Sequence, residues 1–372
     1  MIRRLAWVLL PAAFLLPGVG LADKATDAPS DPAFEIVARL NSGPGNIAIT
    51  PDGRIIISQH QFYEPDLAVV EILTDGSTQA FPTEAWSRPP GPDGIGMTSV
   101  LGLRSDAAGI VWMLDNASMP AKLVAWDTRA ESLHRVIDIP RPAAIEGSFL
   151  NDLAVDPKHQ AIYIADIGPG PDQAALVVVE LATGTARRVL EGDRSTRAED
   201  VSMVIDGTPV KMKKADGSVI EPRIGVNPIT IDAAYDWVYF GAMHGTTLYR
   251  VRTTDLLDEG LSASELSERV ERAGEKPVSD GITIDAANNV YVSSVTENGI
   301  GVVRPDGSYE LLFSDPDWLS WPDGMSCGPD GLVYATVNRL HLSARLNAGV
   351  AESKPPYYVV RFKPLAPCPV GR

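Results

Sequence analysis

Residues 280–292 read Asp280-Gly281-Ile282-Thr283-Ile284-Asp285-Ala286-Ala287-Asn288-Asn289-Val290-Tyr291-Val292. A polar residue opens the stretch, two apolar residues alternate behind it, a tight polar turn follows, and a second β-rich run carries an aromatic. Alternation at period two around a turn is the pattern of a β-hairpin. The pattern returns along the chain. Gly45 stands with Ile47 and Ile49, Ser99 with Leu101 and Leu103, and Asn151 with Leu153 and Val155. Asn227 stands with Ile229 and Ile231, Asp280 with Ile282 and Ile284, and Asp323 with Met325 and Cys327. Each is followed by a second run such as Ile162-Tyr163-Ile164 or Val333-Tyr334-Ala335.

The starts are separated by 54, 52, 76, 53 and 43 residues, and repeats of this length signal propeller blades or other arrays. Third runs at 67–71, 123–127, 176–181, 247–251, 301–304 and 357–362 allow four strands per unit, as a blade requires. Asp-Gly pairs at 52–53, 75–76, 306–307 and 330–331 fall between runs, where hairpin turns need positive φ. The fold class is therefore all-β, a six-bladed β-propeller. The sixth unit runs out of chain after Phe362, so the stretch Phe34-Glu35-Ile36-Val37-Ala38 is expected to close the last blade and cover its edge. The long third interval marks an insertion between Arg187 and Arg223, expected as a loop or hairpin on one face, often the binding face. A helix is expected over 264–273, opened by a capping-box-like Ser262-Ala263-Ser264-Glu265.

Arg3 and Arg4 precede an apolar run over 5–16 and small residues ending in Ala22. This reads as a signal peptide over 1–22, since the run is shorter than the roughly 20 residues that span a bilayer. A linker over 23–33, one propeller domain over 34–363 and a tail over 364–372 complete the domain plan. Export to the periplasm or the medium follows, with no membrane association after cleavage. The net charge is -16, and without the two leader arginines 30 basic residues face 48 acidic ones. That balance argues against nucleic acid as a partner. The two cysteines, Cys327 and Cys368, read either as a bridge or as a core thiol and a free tail thiol.

Residues just before the innermost strands should converge at one mouth of the central channel. Asn151, Asn227, Asp280 and Asp323 offer oxygen ligands or hydrogen bonds there, which suits a divalent ion or a polar ligand. His60 and His244 each follow the second strand of a blade and are candidates for general acid or base. His341 is placed similarly. Trp86, Trp318, Trp321, Phe62 and Tyr63 fall in loops and are candidates to wall a pocket, or to pack between blades.

The runs Phe149-Leu150-Asn151-Asp152-Leu153-Ala154-Val155-Asp156, Asp280-Gly281-Ile282-Thr283-Ile284-Asp285 and Trp321-Pro322-Asp323-Gly324-Met325 resemble the major royal jelly protein/Yellow family. So do Asn338-Arg339-Leu340-His341 and Pro355-Pro356-Tyr357. The resemblance implies a six-bladed propeller, usually secreted, but not one activity. Insect Yellow relatives include dopachrome-converting enzymes, and royal jelly members are nutritive or bind lipids and sterols. A wider similarity to gluconolactonase-like propellers implies a divalent cation (calcium, magnesium or zinc) held by Asn151, Asn227 and Asp280. This chain departs from that pattern in blade one, where Gly43-Pro44-Gly45-Asn46 stands in place of a glutamate, leaving Asp323 or Asp152 to replace it. The expectation is a small organic ligand at the channel mouth, bound by Asn151, Asn227, Asp323 and Trp321. Isomerisation or lactone hydrolysis would use Asp280, and the alternative is a non-catalytic carrier.

Overall fold

The computed structural model describes residues 34–372 with the exception of Ser118. The expected signal peptide and linker lie outside the described residues. Among the described residues no helix is long and apolar enough to cross a membrane.

Six four-stranded antiparallel sheets follow one another along the chain, each laid out from an innermost to an outermost strand. The innermost strands are Pro44–Ile49, Val100–Ser105, Leu150–Asp156, Val226–Ile231, Ile282–Ile284 and Pro322–Cys327, and they define blades one to six. The outermost strand of blade six is Phe34–Leu40, which pairs antiparallel with Tyr357–Phe362, Phe34 opposite Phe362 and Leu40 opposite Tyr357. The edge left by the end of the sixth repeat is thus covered by the start of the described chain.

The alternating apolar pairs of the repeat have one destination. Ile47 and Ile49 pack toward blade six, Leu153 and Val155 toward blade two, Ile229 and Ile231 toward blade three, and Ile282 and Ile284 toward blade four. The residue between them points the other way, as Ala48 toward blade two and Ala154 toward blade four show. Period-two alternation in each innermost strand therefore fills the gaps on both its sides. Burying these side chains at about 25 cal/mol per Å² of apolar surface is the main force closing the ring. The aromatic of the second run has its own purpose: Tyr163 and Tyr291 donate their hydroxyls to Asp156 and Asp285 at 3.1 and 2.9 Å, tying each hairpin to its turn. The Asp-Gly turns hold as expected, with φ of 87° at Gly53 and 85° at Gly307, a conformation glycine adopts without penalty.

Two readings need correction. The helix runs Ala263–Arg269 with the capping box of Ser262 and Glu265 in place, but it stops short of residue 273. Glu271–Glu275 is instead the outer strand of blade four, paired with Thr247–Arg252, so the sheet's demand for a fourth strand overrides helical propensity. The phase of blade two also shifts: the residue equivalent to Asn151 is Leu101, because the innermost strand's register jumps between Val100 and Leu103.

Cys327 and Cys368 form a disulfide, with Cα atoms 5.5 Å apart. The bridge anchors a tail that lies across the ends of the innermost strands opposite the repeat starts. Ala286 N–H donates to the Pro367 carbonyl, Cys327 N–H to that of Arg372, and the Arg372 guanidinium sits over Tyr235, 4.2 Å from its centroid.

Candidate functional site

In five blades the ladder between the two innermost strands slips at one place, between Pro44 and Ile47, Val100 and Leu103, Leu150 and Leu153, Val226 and Ile229, and Pro322 and Met325. Two residues at each slip leave the ladder, as at a β-bulge, and bulges re-aim side chains. In blade five the strand begins only at Ile282, and Ser293 Oγ accepts the freed N–H groups of Asp280 and Gly281 at 2.9 and 3.0 Å. The first residue of each pair lines the channel mouth: Gly45, Leu101, Asn151, Asn227, Asp280 and Asp323. The second packs toward the next blade with little room. A Cβ on Gly102 would lie 2.2 Å from the Asn151 carbonyl oxygen, and one on Gly281 2.1 Å from that of Asp323.

Blades one and three carry Asn46 and Asp152 at that second position. Asn46 Nδ2 donates to Asp152 Oδ1 at 2.7 Å across the mouth. A chain of contacts runs on from the neighbouring residue: Asn151 donates to Asn227 Oδ1, Asn227 Nδ2 donates to Asp280 Oδ1 at 2.5 Å, and Trp321 Nε1 donates to Asp280 Oδ2 at 2.6 Å. Asp323 Oδ2 accepts from Asn338 Nδ2 at 2.8 Å. Three carboxyl groups, Asp152, Asp280 and Asp323, are thus buried together. The nearby cation is Arg104, buried below them and donating to the Met325 carbonyl at 2.6 Å.

Burial disfavours the charged form of each carboxyl. It pushes Asp152 up to about 7, with Asp280 adding to the rise and Arg104 and Asn46 opposing it. Asp280 is pushed up to about 6, the bonds from Trp321 and Asn227 opposing. Asp323 is raised well above the usual range by burial and then by Asp280 and Asp152. Titratable groups displaced this far in a cleft are a functional signature.

Above this floor lies a cavity of about 990 Å³. Its roof comes from the insertion, which folds into two hairpins, Val204–Ile205 with Thr208–Pro209 and Met212–Lys213 with Val219–Ile220. The second hairpin is laced to the segment after blade six's second strand: Lys211 N–H donates to the Leu346 carbonyl and Lys213 N–H to that of Arg345, at 3.2 and 3.0 Å. Met212, Lys213, Lys214, Arg345 and Leu346 line the cavity. The insertion therefore sits on the face of the channel mouth.

The expected site residues divide. Asn151, Asn227, Asp280, Asp323, Trp321, His60 and Phe62 line the cavity together. His244 does not: it is fully buried behind the wall, its Nδ1 accepting the Ile224 N–H at 3.1 Å and its Nε2 without a partner. Burial lowers both His60 and His244 to about 3. Trp321 acts through its indole N–H on Asp280, with His341 stacked on it at 5.9 Å. Trp318 packs on Tyr358, away from the mouth, and Trp86 lies against the core between blades one and two. Asn46 and Arg104 were not singled out from sequence; their signal is a polar residue where blades two, five and six carry glycine, and a charge inside an apolar strand.

A family model described as Major royal jelly protein matches residues 98–360. The chain belongs to the major royal jelly protein family. This royal jelly family member shares its fold with solved structures at low sequence identity. Luciferin-regenerating enzyme superposes with a TM-score of 0.57 at 13% identity, over 92% of this chain and 98% of that one. A gluconolactonase from Xanthomonas campestris gives 0.54 at 10%, over 89% of each. The calcium-binding protein regucalcin from Agrobacterium tumefaciens gives 0.51 at 15%, over 91% of this chain and 98% of that one. No curated protein matches the chain.

A carboxyl whose pKa is higher folded than unfolded binds more protons in the folded state between the two values. Its contribution is full below the ordinary carboxylate range and is lost as pH rises through the folded value. Metal-free protein is therefore expected to melt at a lower temperature at pH 8 than at pH 5.5, and Asp323→Asn, which mimics the protonated acid, should narrow that difference. Thermal melts across this range check it; a difference unchanged in the variant would show that Asp323 is not held protonated.

Proposed function

We propose that this chain is an exported propeller that binds a small organic ligand at the channel mouth and turns it over by lactone hydrolysis or isomerisation. The observation that carries the reading is the cluster of buried carboxyls, Asp152, Asp280 and Asp323, facing a roofed cavity. Such groups destabilise a fold that does not use them, because each must be desolvated.

The donor set at blades three to five fits an oxygen-preferring cation. Asn227 bridges Asn151 and Asp280 by hydrogen bonds, and amide and carboxylate oxygens suit calcium or magnesium better than zinc. Those three residues would hold the ion. When bound, it would act as a Lewis acid on a ligand oxygen. Among the described residues no three His, Cys, Asp or Glu side chains are close enough to form a metal cluster by themselves, so binding would depend on the amides and be weak.

For a lactone, the chain's own groups divide the proton traffic. Water gives a proton to the Asp152 carboxylate as its oxygen adds to the carbonyl carbon. The ring C–O bond breaks, and the ring oxygen takes a proton from Asp323. A carboxyl near neutrality and a second held protonated are the pairing that general acid–base catalysis needs. The carrier reading draws support from Asp280, whose two oxygens are both engaged by protein donors.

Two measurements test this. With glucono-1,5-lactone as probe and calcium present, pH-stat assays should show hydrolysis above the spontaneous rate. Asp280→Ala should lower it by roughly a hundredfold and abolish calcium uptake seen by calorimetry. Metal-free protein, no turnover and unchanged lactone affinity in Asp280→Ala would point to the carrier instead. Export is tested by N-terminal sequencing of protein from the native secretion route: a chain starting at Asp23 is expected, and an intact Met1 would contradict export by cleavage.

A further inference from the structure

The mouth is chemically lopsided. Blades three to six present Asn151, Asn227, Asp280 and Asp323, whereas blades one and two present Gly45 and Leu101. Gly45 is fixed by packing: a Cβ there would come within 2.7 Å of Ser58 Oγ, which accepts the Asn46 N–H and donates to the Leu101 carbonyl at 2.9 and 2.8 Å. No side chain can grow from that point into the cavity. The space beside it is bordered by His60, Gln61 and Phe62, on the short turn after blade one's second strand.

His60 has its tautomer set by the backbone. Its Nδ1 accepts the Phe62 N–H at 3.1 Å, so the neutral ring must carry its proton on Nε2. The ring is clamped, with its backbone N–H on the Gly43 carbonyl at 2.9 Å and its face against Phe62 at 4.6 Å. Only 5% of the residue is exposed, its Nδ1 is occupied by the Phe62 N–H, and the ring lines the cavity. Next to it, Gln61 Oε1 is engaged by the Ser99 hydroxyl, while Gln61 Nε2 is buried without a partner. A buried N–H of Gln61 is thus left unanswered beside the cavity-lining ring of His60, on a turn that also places Glu64 at the cavity. Buried donors are rarely left unpaired.

We propose that this wall is an acceptor-oxygen subsite, in which His60 Nε2–H receives the carbonyl oxygen of a neutral carbonyl compound, with Gln61 in support. The subsite rests on the reading above that a small ligand occupies the mouth. A neutral, clamped imidazole is a donor that polarises a carbonyl without giving up its proton. The ligand is then oriented with its carbonyl toward blade one and its remaining polar groups toward Asp280 and Asp323. This makes His60 a binding and orienting group, not the acid or base expected from sequence.

The test uses glucono-1,5-lactone, binding to the whole chain followed by calorimetry in wild type, His60→Phe, His60→Gln and Asp280→Asn. Loss of the donor should weaken binding about tenfold in His60→Phe, with His60→Gln, which keeps an N–H, recovering part of it. Weakening in Asp280→Asn with none in His60→Phe overturns the subsite and leaves the mouth as ligand site. No binding by wild type removes both. Independently of any substitution, ¹⁵N-histidine spectra of the wild-type protein at pH 7 should show His60 as the neutral Nε2–H tautomer. A protonated ring, or the Nδ1–H form, overturns the subsite.

Discussion

Everything at the mouth depends on how closely the innermost strands approach one another around the ring. Where the innermost strands of blades two, five and six enter the channel, the next blade stands so near that Gly102, Gly281 and Gly324 have no room for a Cβ; on Gly324 it would meet Asn46 Oδ1 at 2.3 Å. The ladder gives way there, and the residue ahead of the tight position turns into the channel. The slip in the ladder, repeated in five of the six blades, converts a repeat into a ring of convergent side chains. Selection can then choose those residues freely, because the ladder and the interblade cores do not need them.

The choice made here is to bury charge. Asp152, Asp280 and Asp323 sit within mutual electrostatic reach, and the nearby cation, Arg104, is itself lowered to about 10 by burial. Donors from Asn46, Asn227, Asn338 and Trp321 stabilise the carboxyls only in part. The site is therefore poised to take up protons, a cation or a ligand's polar groups. The second hairpin of the insertion and the segment after blade six's second strand line the cavity over this floor, and contacts made in such a partly enclosed site are stronger than in open water.

The ring itself is written in the sequence because strand alternation and Asp-Gly turns are local signals. Closure by Phe34–Leu40 followed from counting strands. Asn151, Asn227, Asp280 and Asp323 were legible because they precede alternating apolar pairs. Ser99 was misplaced by one alternation, since period two fits Leu101-Leu103 from either start and only the bulge fixes the phase. Asp152 entered only as a stand-in for the missing blade-one glutamate, and Asn46 not at all, because their shared position is glycine in blades two, five and six and Pro228 in blade four, and the contact that joins them across the mouth is not visible in the sequence. His244 looked equivalent to His60 by order along the blade, yet a difference in how the following loop packs buries it behind the wall. The partner of Cys327 depended on the tail's path across the far end, which no local pattern encodes.

The central claim is that the floor carboxyls titrate far above their ordinary range. The most direct measurement is a ¹³C NMR pH titration of metal-free protein labelled at aspartate Cγ, with Asp152→Asn, Asp280→Asn and Asp323→Asn for assignment. Carboxyl resonances from these three residues titrating above pH 5.5, and outside the envelope of the surface aspartates, are the predicted result. All aspartates titrating below pH 5 would contradict it.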